Sequence, residues 1–124
     1  MLTFPPTTRV FVCREPTDMR KSFDGLMGLV ISTLEQDPQS GHLFCFFNRR
    51  RTLVKILFWD RTGFVLFYKR LEKGTFAIFD QATGDASSFQ VSAADLSLIL
   101  EGIDLRGARR RKRYSSPRKG REFA

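Results

Sequence analysis

Residues 43–71 read LFCFFNRRRTLVKILFWDRTGFVLFYKRL, and the fold turns on how this stretch is divided. Three apolar segments, Leu43–Phe47, Leu53–Trp59 and Phe64–Leu71, are parted only by the short polar stretches NRRRT and DRTG. Segments of this length, rich in Phe, Leu and Val and joined by polar corners, read as strands of an antiparallel meander. Gly63 closes the second corner and can take positive φ there. In the middle segment Val54, Ile56 and Phe58 share one face, while Leu53, Lys55, Leu57 and Trp59 share the other. The first face is wholly apolar and the second only partly, so the helices are expected on the first.

Working outward, RVFVCRE at 9–15 alternates as a strand does, and Pro16 stops it. Thr17 can cap a helix over about 18–36, in which Met19, Phe23, Leu26, Met27, Val30 and Leu34 recur at helical spacing. Gly25 and Gly28 weaken that helix by about 1 kcal/mol each, which suggests a backbone lying close against a sheet. Asp37-Pro38 ends it. Downstream, a short strand is expected near Phe76–Phe79, then a loop rich in Gly, Asp and Ser. Ser92 and Asp95 have the form of a capping box before a second helix carrying Leu96, Ile99, Leu100 and Ile103, with Gly102 as its C-cap.

The fold class is therefore α+β, a mainly antiparallel sheet made of an N-terminal strand and a three-stranded meander, with two helices packed on one face. A chain of 124 residues, 42% hydrophobic and holding 13 phenylalanines, has the material for one such core. Cys13 and Cys45 lack metal or redox spacing and read as buried thiols. No apolar run approaches the roughly 18 residues of a membrane span, and no leader pattern opens the chain, so a soluble cytoplasmic protein is expected.

The net charge of +8 is unevenly placed. Residues 1–105 hold 12 Lys+Arg and 12 Asp+Glu, and residues 106–124 hold 9 and 1. A charge-balanced domain over 1–105 is thus followed by a basic tail over 106–124, whose composition predicts disorder when free.

That partition points to two candidate anion-binding regions. In a meander the Arg49, Arg50 and Arg51 corner meets the end of the next hairpin, so Lys69, Arg70 and Lys73 should arrive beside it. Arginine's planar fork suits phosphate oxygens, although a hairpin tip needs solvating in any case. In the tail, Arg109, Arg110, Arg111, Lys112 and Arg113 form a run suited to binding nucleic acid by counterion release, without sequence preference. Apolar residues do not interleave with these charges, which disfavours a membrane surface. Trp59 and Tyr68 could stack on bases if exposed, but aromatics in such strands are expected in the core.

Catalysis finds little support. His42 is the only histidine and reads as an ordinary loop residue. Asp18, Asp24 and Asp60 have no spacing that favours metal binding over capping and turn formation. Serine-nucleophile motifs and phosphate-cradling glycine loops are missing from the sequence. No enzyme, no cofactor and no metal site is expected.

Three stretches, PTDMRKSFDGL at 16–26, SGHLFCFFNRRRTLVKILFWDRTGFVLFYKRLEKGTF at 40–76 and LSLILEGIDLR at 96–106, together resemble the TnpB accessory proteins, also called Orf2-like, of the IS sixty-six family of bacterial insertion sequences. By position the family pattern matches Thr17, Asp18, Met19, Arg20, Lys21, Asp24, Gly25 and Leu26. It continues at Asn48, Arg49, Arg50, Lys55, Trp59, Asp60, Gly63, Tyr68, Lys69, Arg70, Leu71 and Gly74. Arg51 and Thr52 depart from the usual small or acidic turn residues, and the tail is longer and more basic than the pattern.

The resemblance implies a non-catalytic helper encoded beside a separate transposase. The expected function is accessory: non-specific DNA binding through tail and rim, in aid of the transposase of the same element. The alternative is an adaptor that docks the transposase without contacting DNA, through Asp18, Met19, Arg20 and Lys21 together with Trp59 and Asp60.

Overall fold

The computed structural model describes residues 4–78, 80, 83–104 and 109–110. Strand β1 spans Val10–Cys13, helix α1 Phe23–Ser32, β2 Leu43–Phe47, β3 Leu53–Trp59, β4 Phe64–Arg70, β5 Ser88–Val91 and helix α2 Ala93–Leu100. A two-residue strand β6 at Ile103–Asp104 pairs antiparallel with β7 at Arg109–Arg110. Two residues of the basic tail are thereby in a ladder, while residues 105–108 and 111–124 lie outside the described set.

The five longer strands form one sheet in the order β4-β3-β2-β1-β5. The meander expected from residues 43–71 is present, with Phe47 opposite Val54 and Leu53 opposite Arg70. β1 runs parallel to β2, and α1 makes the crossover that this requires. β5 completes the sheet antiparallel to β1. The fold is α+β with mostly antiparallel pairing.

Both faces of this sheet are covered. Val10, Val12, Leu43, Cys45, Phe47, Val54, Ile56 and Phe58 pack with Leu96 and Ile99 of α2 and with Phe76. On the opposite face Phe11, Cys13, Phe44, Phe46 and Leu57 pack with Leu26 and Val30 of α1 and with Leu34. The expectation that both helices share one face is corrected: β1 and β2 are buried at every position, so each face of the central strands needs its own cover. Each fully buried Phe or Leu contributes about 2 kcal/mol relative to exposure.

Several local expectations also change. Residues 18–22 are not helical, because Asp18 closes a turn on the Arg20 N–H and Lys55 takes the carbonyls of Met19 and Lys21; Ser22 and not Thr17 stands at the N-cap, and the helix ends at Ser32, short of Asp37-Pro38. Gly25 and Gly28 do not meet the sheet: a Cβ at Gly25 would meet the Lys21 side chain, and one at Gly28 would meet nothing. The expected strand at Phe76–Phe79 is replaced by irregular chain over 76–78, and the edge strand is instead β5. At the second hairpin corner positive φ falls on Arg61, at 84°, and not on Gly63. The α2 N-cap is as expected, with the Ser92 hydroxyl accepting from the Asp95 N–H, but the helix ends at Leu100, and Ile103, expected within it, follows Gly102 at φ 86° into β6.

Candidate nucleic-acid interface

The β2–β3 corner is organised by Asn48, whose carboxamide oxygen accepts from the N–H groups of Thr52 and Leu53 at 2.9 Å each. Arg49 and Arg50 lie between these fixed points and project into solvent. Among the described residues neither guanidinium has an ion pair. The chain leaving β4 returns along this corner, with the Leu71 N–H donating to Thr52 and the Phe76 N–H to Arg51. The backbones of residues 49–51 and 69–73 therefore reach one end of the sheet.

The side chains that arrive there do different things. Arg51 takes φ 59° and donates from its guanidinium to the Ile78 carbonyl at 3.2 Å, holding the 76–78 segment on the corner. Lys69, opposite Val54, donates to the Leu100 carbonyl at 3.0 Å, where a cation favours the C-terminal end of α2. Arg70 pairs with Glu72 at 3.1 Å, largely in solvent. Arg49, Arg50 and Lys73 are the exposed cations of the set that make no such internal contact.

A second source of charge reaches the same end. The Thr17 N–H donates to the Phe47 carbonyl, so the 17–21 segment runs across the sheet end from which the Arg49–Arg50 corner projects. Beneath that segment lies Lys55, only 7% exposed, donating to the carbonyls of Met19 at 2.8 Å and Lys21 at 2.7 Å. The ring of Tyr68 covers the third side of its ammonium, which leaves this desolvated charge fully partnered. The sequence had placed Lys55 merely on the less apolar face. A lone Lys in the middle of a buried strand was the available signal.

Asp18 and Arg20 form an exposed pair at 2.7 Å. The Arg20 side chain and then its backbone N–H hold the Asp18 carboxyl down at about 2, and the same pairing raises Arg20. At the far end of β3, Asp60 accepts from the Thr62 N–H, the Thr62 hydroxyl and the Gly63 N–H at 3.1 Å each, which lowers its pKa. Trp59 packs edge-on to Phe64 at 5.0 Å and is half-buried. The residues assigned to partner docking thus separate. Asp18, Met19, Arg20 and Lys21 stand at the arginine end, and Trp59 and Asp60 stand about 13 Å further along β3 at the usual strand rise.

Tyr68 is 54% exposed, contrary to the expectation of a core ring. His42 accepts the Arg9 N–H at its Nδ1, beside Phe11. Burial pushes the Cys45 thiol far up and that of Cys13 up as well, and both are free. Among the described residues no group of three or more His, Cys, Asp or Glu is placed to hold a metal ion, and no helix is long and apolar enough to cross a membrane. Arg111, Lys112 and Arg113 lie outside the described residues, and Arg109 and Arg110 are described only as β7.

Residues 8–110 match the family described as IS66 Orf2 like protein. Two relatives come from Sinorhizobium fredii (strain NBRC 101917 / NGR234). The uncharacterized protein y4hO is 39% identical over 106 residues, covering 86% of this chain and 90% of the relative. The uncharacterized protein y4jC is 35% identical over 96 residues, covering 77% of this chain and 80% of the relative. No solved structure matches the chain.

Proposed function

The chain belongs to the IS66 Orf2-like family of insertion-sequence accessory proteins, and on that premise we propose that it assists transposition by binding DNA without sequence preference. One observation carries this reading: Arg49 and Arg50 project from a corner pinned by Asn48, at the end of a domain that has no net charge. Like charges held so close favour an anionic counterpart, and guanidinium groups suit phosphate oxygens. The basic run Arg109–Arg113 adds counterion release. Tyr68, exposed on the same half of β4, can stack on an unpaired base. The role is non-catalytic, in company with the transposase of the same element, and belongs to the bacterial cytoplasm where the DNA is.

The test is the salt dependence of duplex DNA binding by the full chain, by R49A/R50A, and by a variant with Arg109–Arg113 changed to Gln. Loss of affinity and a shallower salt slope in both variants support the reading. Affinity equal to that of the parent in both overturns it.

The adaptor reading is favoured by a different observation. Lys55 fixes the backbone of Met19 and Lys21 from below, so the 17–21 segment is a pinned loop that presents Asp18, Arg20 and Lys21 to solvent, as loops that dock proteins do. Retained DNA affinity with lost transposase capture in R20A/K21A is the outcome that would support it.

A further inference from the structure

The two edges of the sheet are unequal. β5 has four residues, whereas β4 has seven, without proline and with six of the seven apolar or aromatic through Tyr68 or carrying a long aliphatic stem at Lys69. Natural edge strands are normally blunted by shortness, proline, bulges or charged side chains, and β4 carries charge only at its Lys69–Arg70 end. β4 has none of these along Phe64–Tyr68, and two of the large exposed apolar residues, Phe67 at 42% and Tyr68 at 54%, lie on it.

The ladder fixes which backbone groups face outward. The Leu71 N–H donates to Thr52 and the Asp60 N–H to Gly63, so Leu71 and Gly63 turn their polar backbone toward β3. Alternation then turns Val65, Phe67 and Lys69 inward as well, and Phe64, Leu66, Tyr68 and Arg70 outward. Among the described residues these outward N–H and C=O groups have no backbone partner.

We propose that β4 pairs antiparallel with β4 of a second copy of this chain about a two-fold axis at Phe67, joining two sheets into one. In that register Leu66 faces Tyr68 of the second copy and Phe64 faces Arg70, so all four outward residues exchange hydrogen bonds with outward residues. Centring the axis on Leu66 or on Tyr68 leaves one end of the strand against a turn. The side chains are self-complementary too. Phe67 meets its own copy as a close non-hydrogen-bonded pair, burying a ring now exposed on each chain. Arg70 comes over the Phe64 ring, against which Trp59 already packs, so its guanidinium meets an aromatic face and not another cation. Lys69 lies opposite Val65 with its ammonium already held by Leu100, which leaves its aliphatic stem for contact. An identical strand satisfies all of these positions at once.

The test uses the full chain without DNA, in salt high enough to suppress nucleic-acid bridging. Sedimentation across a concentration series is expected to show a monomer–dimer equilibrium, and F67K, which sets two like-charged side chains directly opposite on Cα atoms about 4.5 Å apart, to raise the dissociation constant about tenfold or more. F67C supplies an independent readout should F67K fold poorly. That pair has the separation a disulfide needs, while Cys13 and Cys45 are buried, so mild oxidation is expected to link the copies through residue 67 alone. V65C mixed with K69C is expected to cross-link, and V65C alone is not. A monomer at every concentration, or a dimer that F67K leaves intact and F67C fails to cross-link, overturns the proposal. Both readouts are taken without DNA, so they stand or fall independently of the DNA-binding reading.

Discussion

The ammonium of Lys55 lies 4.6 Å from the centroid of the Tyr68 ring while donating to the carbonyls of Met19 and Lys21. One side chain of β3 thus joins the edge strand β4 to the loop that precedes α1. A cation this deep persists because each of its faces has a partner, and the loop holds its non-helical path because two of its carbonyls have one.

Replacing Lys55 by Met is expected to destabilise the chain by about 2–3 kcal/mol, since two carbonyls lose their donor although the charge is removed with it. Y68A is expected to cost about 1 kcal/mol through the ring contact. Urea-unfolding midpoints measure both. A K55M midpoint equal to the parent's would show that water satisfies the loop carbonyls equally well.

Asp18 gives a pH signature. Its folded pKa of about 2 is below the ordinary 3.8, so folding favours the ionised carboxylate. The associated stabilisation is present above pH 3.8 and is lost as the pH falls through 2. The carboxyl carbon of Asp18 is expected to titrate near 2 in the native chain and to move up toward 3.8 in R20Q, as followed by carbon NMR. An unchanged midpoint in R20Q would exclude the Arg20 guanidinium as the cause and leave the shift to its backbone N–H.

The meander was legible because residues 43–71 carry strand periodicity and corner chemistry at once. The second helix was legible through its cap. Placement of the helices was not, because Lys55 made the α1 face read as partly polar when its ammonium is in fact consumed by the loop above it. The same bond explains why residues 18–22 read as helix, since periodicity of Met19 with Phe23 and Leu26 does not reveal where backbone carbonyls are taken. For the basic rim, backbone convergence followed from the hairpins, but the capture of Arg51 by Ile78 and of Lys69 by Leu100 depends on tertiary contacts that adjacency in sequence cannot report.

Arg61 takes φ 84° in an exposed corner, a conformation that costs an L side chain about 1 kcal/mol. R61G is expected to raise the thermal midpoint, and R61A to leave it unchanged, since alanine carries the same penalty. Scanning calorimetry distinguishes them. A fall in R61G would mean that entropy released in the unfolded chain outweighs the relief of strain.

The three arginines of the corner are expected to separate into two kinds. Arg49 and Arg50 project freely, so R49A and R50A should each change stability by less than about 0.5 kcal/mol. Arg51 holds the Ile78 carbonyl from a positive-φ position, and R51A should cost about 1–2 kcal/mol, through the lost bond and not through charge. DNA binding is expected to reverse the order. Each lost phosphate contact lowers the salt slope by about 0.9, so R49A/R50A should lower it by nearly 2, while R51A should leave it close to the parent's once folding is corrected for. A slope that falls equally for all three would mean that Arg51 leaves Ile78 to meet phosphate. A slope that R49A/R50A does not alter would make the corner a solvated turn, and any affinity would then rest on the Arg109–Arg113 run.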